Sequence, residues 1–178
     1  MSQEPALNRS LFSSARGDWN TPAGLLVKIA RFDTIDVDPC HNALSLVSAR
    51  CTYQLERGED GLQLPWSLRG LTYVNPPYGR EIGPWMERCS ALGRAGLEII
   101  ALVPARTDAA WWQRNVSTAD CVCFYRGRLV FDGAPASAPF PSALIYWGDR
   151  AKKFCRVFGS SGWLVSGVDS RTLLATDA

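Results

Sequence analysis

Two short apolar runs, each followed by a helical pattern, constrain the fold of this chain more than any other feature. Leu71–Val74 and residues 98–103 are rich in branched and aromatic side chains, which indicates buried strands. Pro84 can begin a helix that continues to about Leu92, and a helix containing Trp111 follows the second strand. Strands that alternate with helices predict an α/β protein with a single, mostly parallel sheet, right-handed crossovers and helices on both faces.

The remaining elements are predicted by the same patterns. Apolar residues at helical spacing predict a helix over Ala23–Phe32, with Thr21 as its N-cap and Pro22 at its first position. After the helix that contains Trp111, apolar runs predict four further strands. These are Cys121–Tyr125, residues 129–131, Ser142–Trp147 and residues 155–158. Because no helical pattern separates them, we expect an antiparallel edge at the C-terminal end of the sheet.

The motif Asn75-Pro76-Pro77-Tyr78 follows the strand Leu71–Val74, at the end where open α/β sheets bind their ligands. Its two prolines fix the backbone and remove two N–H donors, while their carbonyl groups can still accept hydrogen bonds. Asn75 adds a side-chain oxygen, and Tyr78 adds a flat ring with a polar tip. Such a loop suits a planar group that carries an amino nitrogen. An ordinary strand-ending turn is the alternative interpretation.

The start of the first helix is a second candidate site. Asp18-Trp19-Asn20-Thr21-Pro22 precedes it, and a helix start that offers a hydroxyl and backbone N–H groups can bind a carboxylate. Helix capping alone explains Thr21 and Pro22, but it does not explain Asp18 and Trp19.

Two acidic residues follow one another along a short strand that ends at Pro39. Asp36 and Asp38 are expected on the same face because strand side chains alternate. They could accept hydrogen bonds from a ribose hydroxyl or an amino acid ammonium, and the pattern leaves open which does so. A solvated strand end or turn is the alternative. The chain has no Gly-x-Gly-x-x-Gly, so the common dinucleotide fingerprint does not apply.

The composition disfavours several classes of protein. The chain has 178 residues, a length that suits one domain. Its net charge of +2 neither proves nor opposes a nucleic-acid partner. Its six cysteines contain no Cys-x-x-Cys pair and His41 is its one histidine, which argues against a zinc site and against a Ser-His or Cys-His hydrolase. With no signal peptide or spanning apolar run, we expect a cytosolic protein with reduced thiols. Residues 1–16 are expected to form a loose arm and residues 17–170 the domain.

Seven motifs occur along the chain in an order that is similar to one family of enzymes. They are Asp18-Trp19-x-Thr21-Pro22, Asp36-x-Asp38-Pro39-Cys40, Trp66, Val74-Asn75-Pro76-Pro77-Tyr78, Leu102-Val103-Pro104-Ala105-Arg106-Thr107-Asp108 with Trp111, Arg126-Gly127-Arg128-Leu129 and Phe140-Pro141-Ser142-Ala143. Together they resemble the phage-type DNA N-6-adenine methyltransferases (Dam type), over residues 18–147. One departure is His41, where such proteins often carry a small residue.

The resemblance implies a Rossmann-like methyltransferase fold that uses S-adenosylmethionine to methylate adenine in double-stranded DNA, in the cytoplasm of a bacterial host and without a metal or a membrane. It implies catalytic roles for Asn75, Pro76, Pro77 and Tyr78, with Tyr78 stacked on a base flipped from the duplex. Its cofactor candidates are Asp18, Trp19, Thr21, Pro22, Asp36 and Asp38. Its candidates for the DNA backbone are Arg80, Arg106, Arg126 and Arg128.

Two other functions remain open at this point. The same loop could hold the amine of an RNA base or a protein glutamine amide, which would make the chain a methyltransferase of another substrate. Alternatively, the fold could serve a catalytically silent DNA-binding protein.

Overall fold

Within residues 19–66 and 69–167, which a computed structural model describes, seven strands form one mixed sheet and four α-helices pack on it. The strands are β1 Ile35–Asp38, β2 Ala49–Thr52, β3 Leu71–Val74, β4 Ile99–Pro104, β5 Cys121–Tyr125, β6 Ser142–Trp147 and β7 Gly162–Ser166. The helices are α1 Ala23–Phe32, α2 Ile82–Arg94, α3 Ala110–Asn115 and α4 Ala151–Phe158, with short 3₁₀ turns at Leu55–Arg57 and Val116–Thr118.

The sheet has the strand order β2-β1-β3-β4-β6-β5-β7. Strands β1 to β4 are parallel, and β6 pairs antiparallel with both β4 and β5, so β5 has the same direction as β4. Strand β7 pairs antiparallel with β5 at the edge. The single sheet is therefore confirmed, but it is mixed rather than mostly parallel, since three of its six described strand pairs are parallel and three are antiparallel. The antiparallel edge is confirmed only for β7, because every residue of β6 is buried within the sheet.

Helices cover both faces of the sheet, as predicted. Side chains alternate along a strand, so Ile100 and Leu102 of β4 pack on the face covered by α1 and α4. Ala101 and Val103 pack on the opposite face, with α2 and α3. The central strands are apolar on both sides because each side meets a helix layer.

Two predicted strands were wrong. Residues 155–158 belong to helix α4, in which Phe154 and Phe158 lie four residues apart, share one helix face and are fully buried. Residues 129–131 form no strand. Leu129 and Phe131 are buried, but their backbone oxygens accept from Ala138 and Ala134 of the following loop rather than from a strand, and the isolated bridge between Asn20 and Asp132 lies just beyond the segment.

Gly93 of helix α2 lies close against the sheet, and this contact leads to a prediction about stability. A Cβ at this position would lie 2.5 Å from the Cβ of Trp147 in β6. Gly93→Ala should therefore lower the free energy of unfolding by about 1–3 kcal/mol, because the helix must move off the sheet. Gly24→Ala in α1 is the matched control, since its Cβ meets open space and should stabilise by about 0.5–1 kcal/mol. Urea unfolding of both variants measures the difference. Equal stability of Gly93→Ala and the wild type would contradict the packing argument.

Among the described residues, no helix combines the length and the hydropathy needed to cross a membrane.

Candidate functional site

The loops that carry most of the candidate residues lie at one edge of the sheet. Because β1, β3, β4 and β5 have the same direction, the segments that follow them meet at the carboxyl edge. Asp38, Asn75, Arg106 and Arg126 lie at or just beyond the ends of these strands. The antiparallel strands β6 and β7 begin at the same edge, which brings in the segments that precede them.

A cavity of about 110 Å³ opens between the ends of β1 and β3. Its lining includes Trp19, Asp38, His41, Asn75, Pro76 and Pro77. Three segments that are distant in sequence thus meet there: the residues before α1, the loop after β1 and the loop after β3.

The side chain of Asn75 is held in one orientation. Its Nδ2 atom donates to the backbone oxygen of Trp19 at 2.5 Å and to Oγ1 of Thr21 at 3.1 Å. A backbone carbonyl can only accept, so the amino side of the amide must face Trp19. The opposite atom, Oδ1, is buried and has no hydrogen-bond partner among the described residues. An unpaired buried acceptor costs about 1–3 kcal/mol, so Asn75 is prepared to receive an N–H donor.

Thr21 positions Asn75 rather than capping a helix. Its hydroxyl lies 2.8 Å from that of Tyr73 in β3, and it also accepts from Asn75. Helix α1 begins after Pro22 and has no side-chain cap hydrogen bond, so the predicted N-cap role of Thr21 was wrong. Burial raises the pKa of the Tyr73 hydroxyl well above its ordinary value, so this group stays protonated within the network.

The two candidate acids lie in different surroundings. Asp38 is only 2% exposed and lines the cavity. Its Oδ1 accepts from the backbone N–H of Cys40 at 3.1 Å, and its Oδ2 lies 2.9 Å from Nδ1 of His41. Asp36 does not line the cavity. Its Oδ1 lies 3.6 Å from Nη1 of the exposed Arg50 in β2. A register shift between residues 35 and 37 interrupts the pairing of β1 with β3 near these acids.

Tyr78 lies beside the cavity within an aromatic cluster. Its hydroxyl donates to the backbone oxygen of Leu102 at 3.2 Å, and burial raises the pKa of this hydroxyl. The ring meets Phe131 and Phe140 edge-on, with centroids 6.0 and 5.6 Å away. Trp19 lies 5.2 Å from each of the same two rings. Tyr78 is therefore anchored at both its ring and its hydroxyl.

No role was predicted for Asn20, although it lies between Trp19 and Thr21 of the first motif. It is buried, and its backbone oxygen accepts from Asp132 at 2.8 Å. Its side-chain oxygen accepts from Nδ2 of Asn42, also at 2.8 Å. Asn20 thus joins the segment before α1 to the loop after β1 and to the loop that precedes β6. A polar residue inside a motif was the available signal.

The predicted DNA contacts all lie on the surface of this edge. Arg80 follows β3, Arg106 follows β4, and Arg126 and Arg128 follow β5. All four are exposed, and none makes an ion pair or side-chain hydrogen bond with another residue of the described segments. Asp18 and the arm over residues 1–16 lie outside the described residues. Pro22 is half-buried before α1.

The described part of the chain holds no cluster of three or more side chains suited to a metal ion. No curated protein matches the chain. A model of the DNA N-6-adenine-methyltransferase (Dam) family matches residues 9–143, which include strands β1 to β5 and the cavity.

Proposed function

The chain belongs to the DNA N-6-adenine-methyltransferase (Dam) family, and from this premise we propose that it uses S-adenosylmethionine to methylate the N-6 amine of adenine at specific sites in double-stranded DNA. The observation that carries the proposal is Oδ1 of Asn75, which is buried and has no hydrogen-bond partner in the described part of the chain. We place this activity in a phage or prophage context, in the cytoplasm of a bacterial host. The domain would span residues 17–170, with residues 1–16 as an arm.

Asn75 and Pro76 would act directly on the adenine amine. This nitrogen is a poor nucleophile because its lone pair is delocalised into the ring. Oδ1 of Asn75 and the backbone oxygen of Pro76 can each accept a hydrogen bond from one of its two N–H groups. This arrangement favours a pyramidal nitrogen, whose lone pair is then free to attack the methyl group. The same acceptors stabilise the positive charge that develops on nitrogen in the transition state. Pro77 keeps the loop rigid, so this geometry needs little reorganisation.

The cavity between β1 and β3 suits the cofactor. The carboxylate of Asp38 offers a buried acceptor for an ammonium or ribose hydroxyl, and Trp19 and Pro76 supply apolar walls. S-adenosylmethionine, when bound, supplies the electrophilic methyl group. Asp18, Trp19 and Pro22 stay candidates for its methionine end. Thr21 would act through Asn75. Asp36 is less suited than Asp38 to contact the cofactor, because its carboxylate faces Arg50.

The topology supports a Rossmann-like methyltransferase fold. Parallel strands place their carboxyl ends at one ligand-binding edge, and the antiparallel β6 lies between two strands of the opposite direction. The four exposed arginines at this edge could bind DNA phosphates.

Tyr78 is proposed to stack on the flipped adenine, and its variants should separate DNA capture from cofactor binding. Tyr78→Ala should lower kcat/KM for DNA by about 10–100-fold, because base stacking on an aromatic ring contributes about 1–3 kcal/mol. Binding of S-adenosylmethionine should change much less. Tyr78→Phe is the control, since it keeps the ring and loses only the bond to Leu102. Equal losses of DNA capture and cofactor affinity in Tyr78→Ala would argue against stacking.

The activity itself can be tested with unmethylated duplex DNA. The pure protein is incubated with the DNA and S-adenosylmethionine, the DNA is digested, and N-6-methyladenine is measured by mass spectrometry. Its formation supports the proposal, and sequencing the modified DNA then gives the target. Cofactor binding without DNA methylation would point instead to an RNA base or a protein amide. Absence of cofactor binding would favour a catalytically silent DNA-binding protein.

A further inference from the structure

Trp163 is an exposed aromatic residue on the edge strand β7. It is 70% exposed, whereas the other six tryptophans are buried or half-buried. Its ring stacks on that of Phe124 in β5, with centroids 5.5 Å apart and an interplanar angle of 26°. With 70% of its surface exposed, the Trp163 ring remains accessible to a flat ligand although it stacks on Phe124.

Trp163 ends a continuous row of aromatic rings. Trp111 and Trp112 of α3 are 5.6 Å apart, Trp112 lies 5.9 Å from Phe124, and Phe124 stacks on Trp163. Trp112 is buried and Phe124 half-buried, so the row fixes the position of the exposed ring. A ring held in this way loses little conformational entropy when a flat ligand stacks on it.

The row is flanked by arginines at the carboxyl edge. Trp163 pairs with Phe124, which is one residue from the end of β5. Immediately beyond this end, the backbone N–H of Arg126 donates to the oxygen of Ser161 at 2.8 Å, and Arg128 follows. At the other end of the row, Arg106 lies in the loop that leads to α3. An exposed ring at the sheet edge that also carries these exposed arginines, which have no ion-pair partner among the described residues, matches the chemistry of a nucleic acid, in which flat bases alternate with phosphates.

We propose that Trp163 contacts the DNA substrate outside the target adenine, by stacking on a nucleoside of the strand whose phosphates the arginines bind. The identity of this partner rests on the proposed function. Trp163 lies C-terminal to the segment that matches the family, so its role is inferred from the position of the ring rather than from a family motif.

Three variants test this contact. Trp163→Ala removes the ring, Trp163→Phe keeps a smaller ring, and Val165→Ala is the matched control. Val165 is 40% exposed on the same strand, two residues farther from the carboxyl edge. The dissociation constant of a fluorescein-labelled, unmethylated duplex is measured by anisotropy at fixed salt, and that of S-adenosylmethionine by calorimetry.

Trp163→Ala should weaken duplex binding by about 5–150-fold, which corresponds to about 1–3 kcal/mol for loss of one stacked base. Trp163→Phe should recover most of this affinity, Val165→Ala should bind like the wild type, and cofactor binding should stay unchanged in all three. Wild-type affinity in Trp163→Ala would overturn the inference, as would an equal loss in Val165→Ala. A change only in self-association or unfolding temperature would also overturn it, by assigning the ring to a protein contact.

The wild type separates this inference from the proposed function. If the wild type methylates the duplex and Trp163→Ala binds it normally, only the Trp163 contact fails. If the wild type neither binds nor methylates the duplex, the proposed function fails and the Trp163 contact fails with it.

Discussion

Asn75→Ala is expected to reduce methyl transfer to adenine by a factor of about 10²–10³, while the protein still binds S-adenosylmethionine. The factor is typical for removing one hydrogen-bonding group that stabilises charge in a transition state. In the folded protein, Nδ2 of Asn75 is engaged by Trp19 and Thr21, and Oδ1 has no described partner. Truncation removes the acceptor, whereas the contacts of Asp38 with Cys40 and His41 do not involve Asn75. Single-turnover methylation and calorimetric titration of the cofactor measure the two effects separately.

Two further variants distinguish catalysis from support. Thr21→Val removes the hydroxyl that accepts from Asn75, but Trp19 still holds the amide, so we expect a smaller loss of rate. Asn75→Asp keeps an oxygen at the Oδ1 position and places the other against the carbonyl of Trp19, so this variant should be less stable. Full turnover in a folded Asn75→Ala protein would remove the acceptor from the mechanism.

Asp38→Ala is expected to weaken S-adenosylmethionine binding by on the order of 30-fold or more, because truncating a buried, charged hydrogen-bonding group costs about 2–5 kcal/mol. Asp38 is almost fully buried and lines the cavity, with its carboxylate oriented by Cys40 and His41. Asp36→Ala is the matched control on the same strand. Asp36 pairs with the exposed Arg50, and such a surface ion pair contributes at most about 1 kcal/mol to stability. Because Asp36 does not line the cavity, the dissociation constant of S-adenosylmethionine should stay near the wild-type value.

Calorimetry on both variants and on Asp38→Asn completes the test. Asp38→Asn keeps an oxygen for the N–H of Cys40 and removes the charge, so weak binding in this variant would assign the effect to charge. An unchanged dissociation constant in a folded Asp38→Ala protein would place the cofactor elsewhere. A similar loss in Asp36→Ala would mean that both substitutions act by disturbing β1.

The sequence predicts those elements whose side-chain pattern is complete within them. The bounds of α1, β3, β5 and β6 agree with the structure, because each is marked by helical spacing or by a continuous apolar run. Strand β2 was missed because Ala-Arg-Cys-Thr has no such pattern, and its pairing with β1 defines it. Residues 155–158 of helix α4 were predicted as a strand because this short stretch is largely apolar. The helical spacing becomes visible only when Phe154, one turn before Phe158, is included.

Some parts of the candidate site could be located from the sequence, and others could not. The loop after β3 follows a strand and the two acids lie within β1, so local patterns located them. The partners of the Thr21 hydroxyl lie 52 and 54 residues away, at Tyr73 and Asn75, and Asn20 meets Asp132 in a loop more than a hundred residues later. No local pattern specifies such contacts, because they depend on how the sheet is assembled.

The position of β6 has a consequence for the order of folding. Although β6 follows β5 in the chain, it lies between β4 and β5 in the sheet. During synthesis, the loop that carries Asn75 emerges early, but β5 and its arginines cannot take their places until residues 142–147 have emerged as well. Contacts that join distant parts of a chain form slowly and leave sheet edges open in the meantime. A nascent chain that ends before β6 would therefore carry the residues proposed for chemistry without the two arginines after β5 in place, so we expect full DNA binding only after the middle of the sheet is filled.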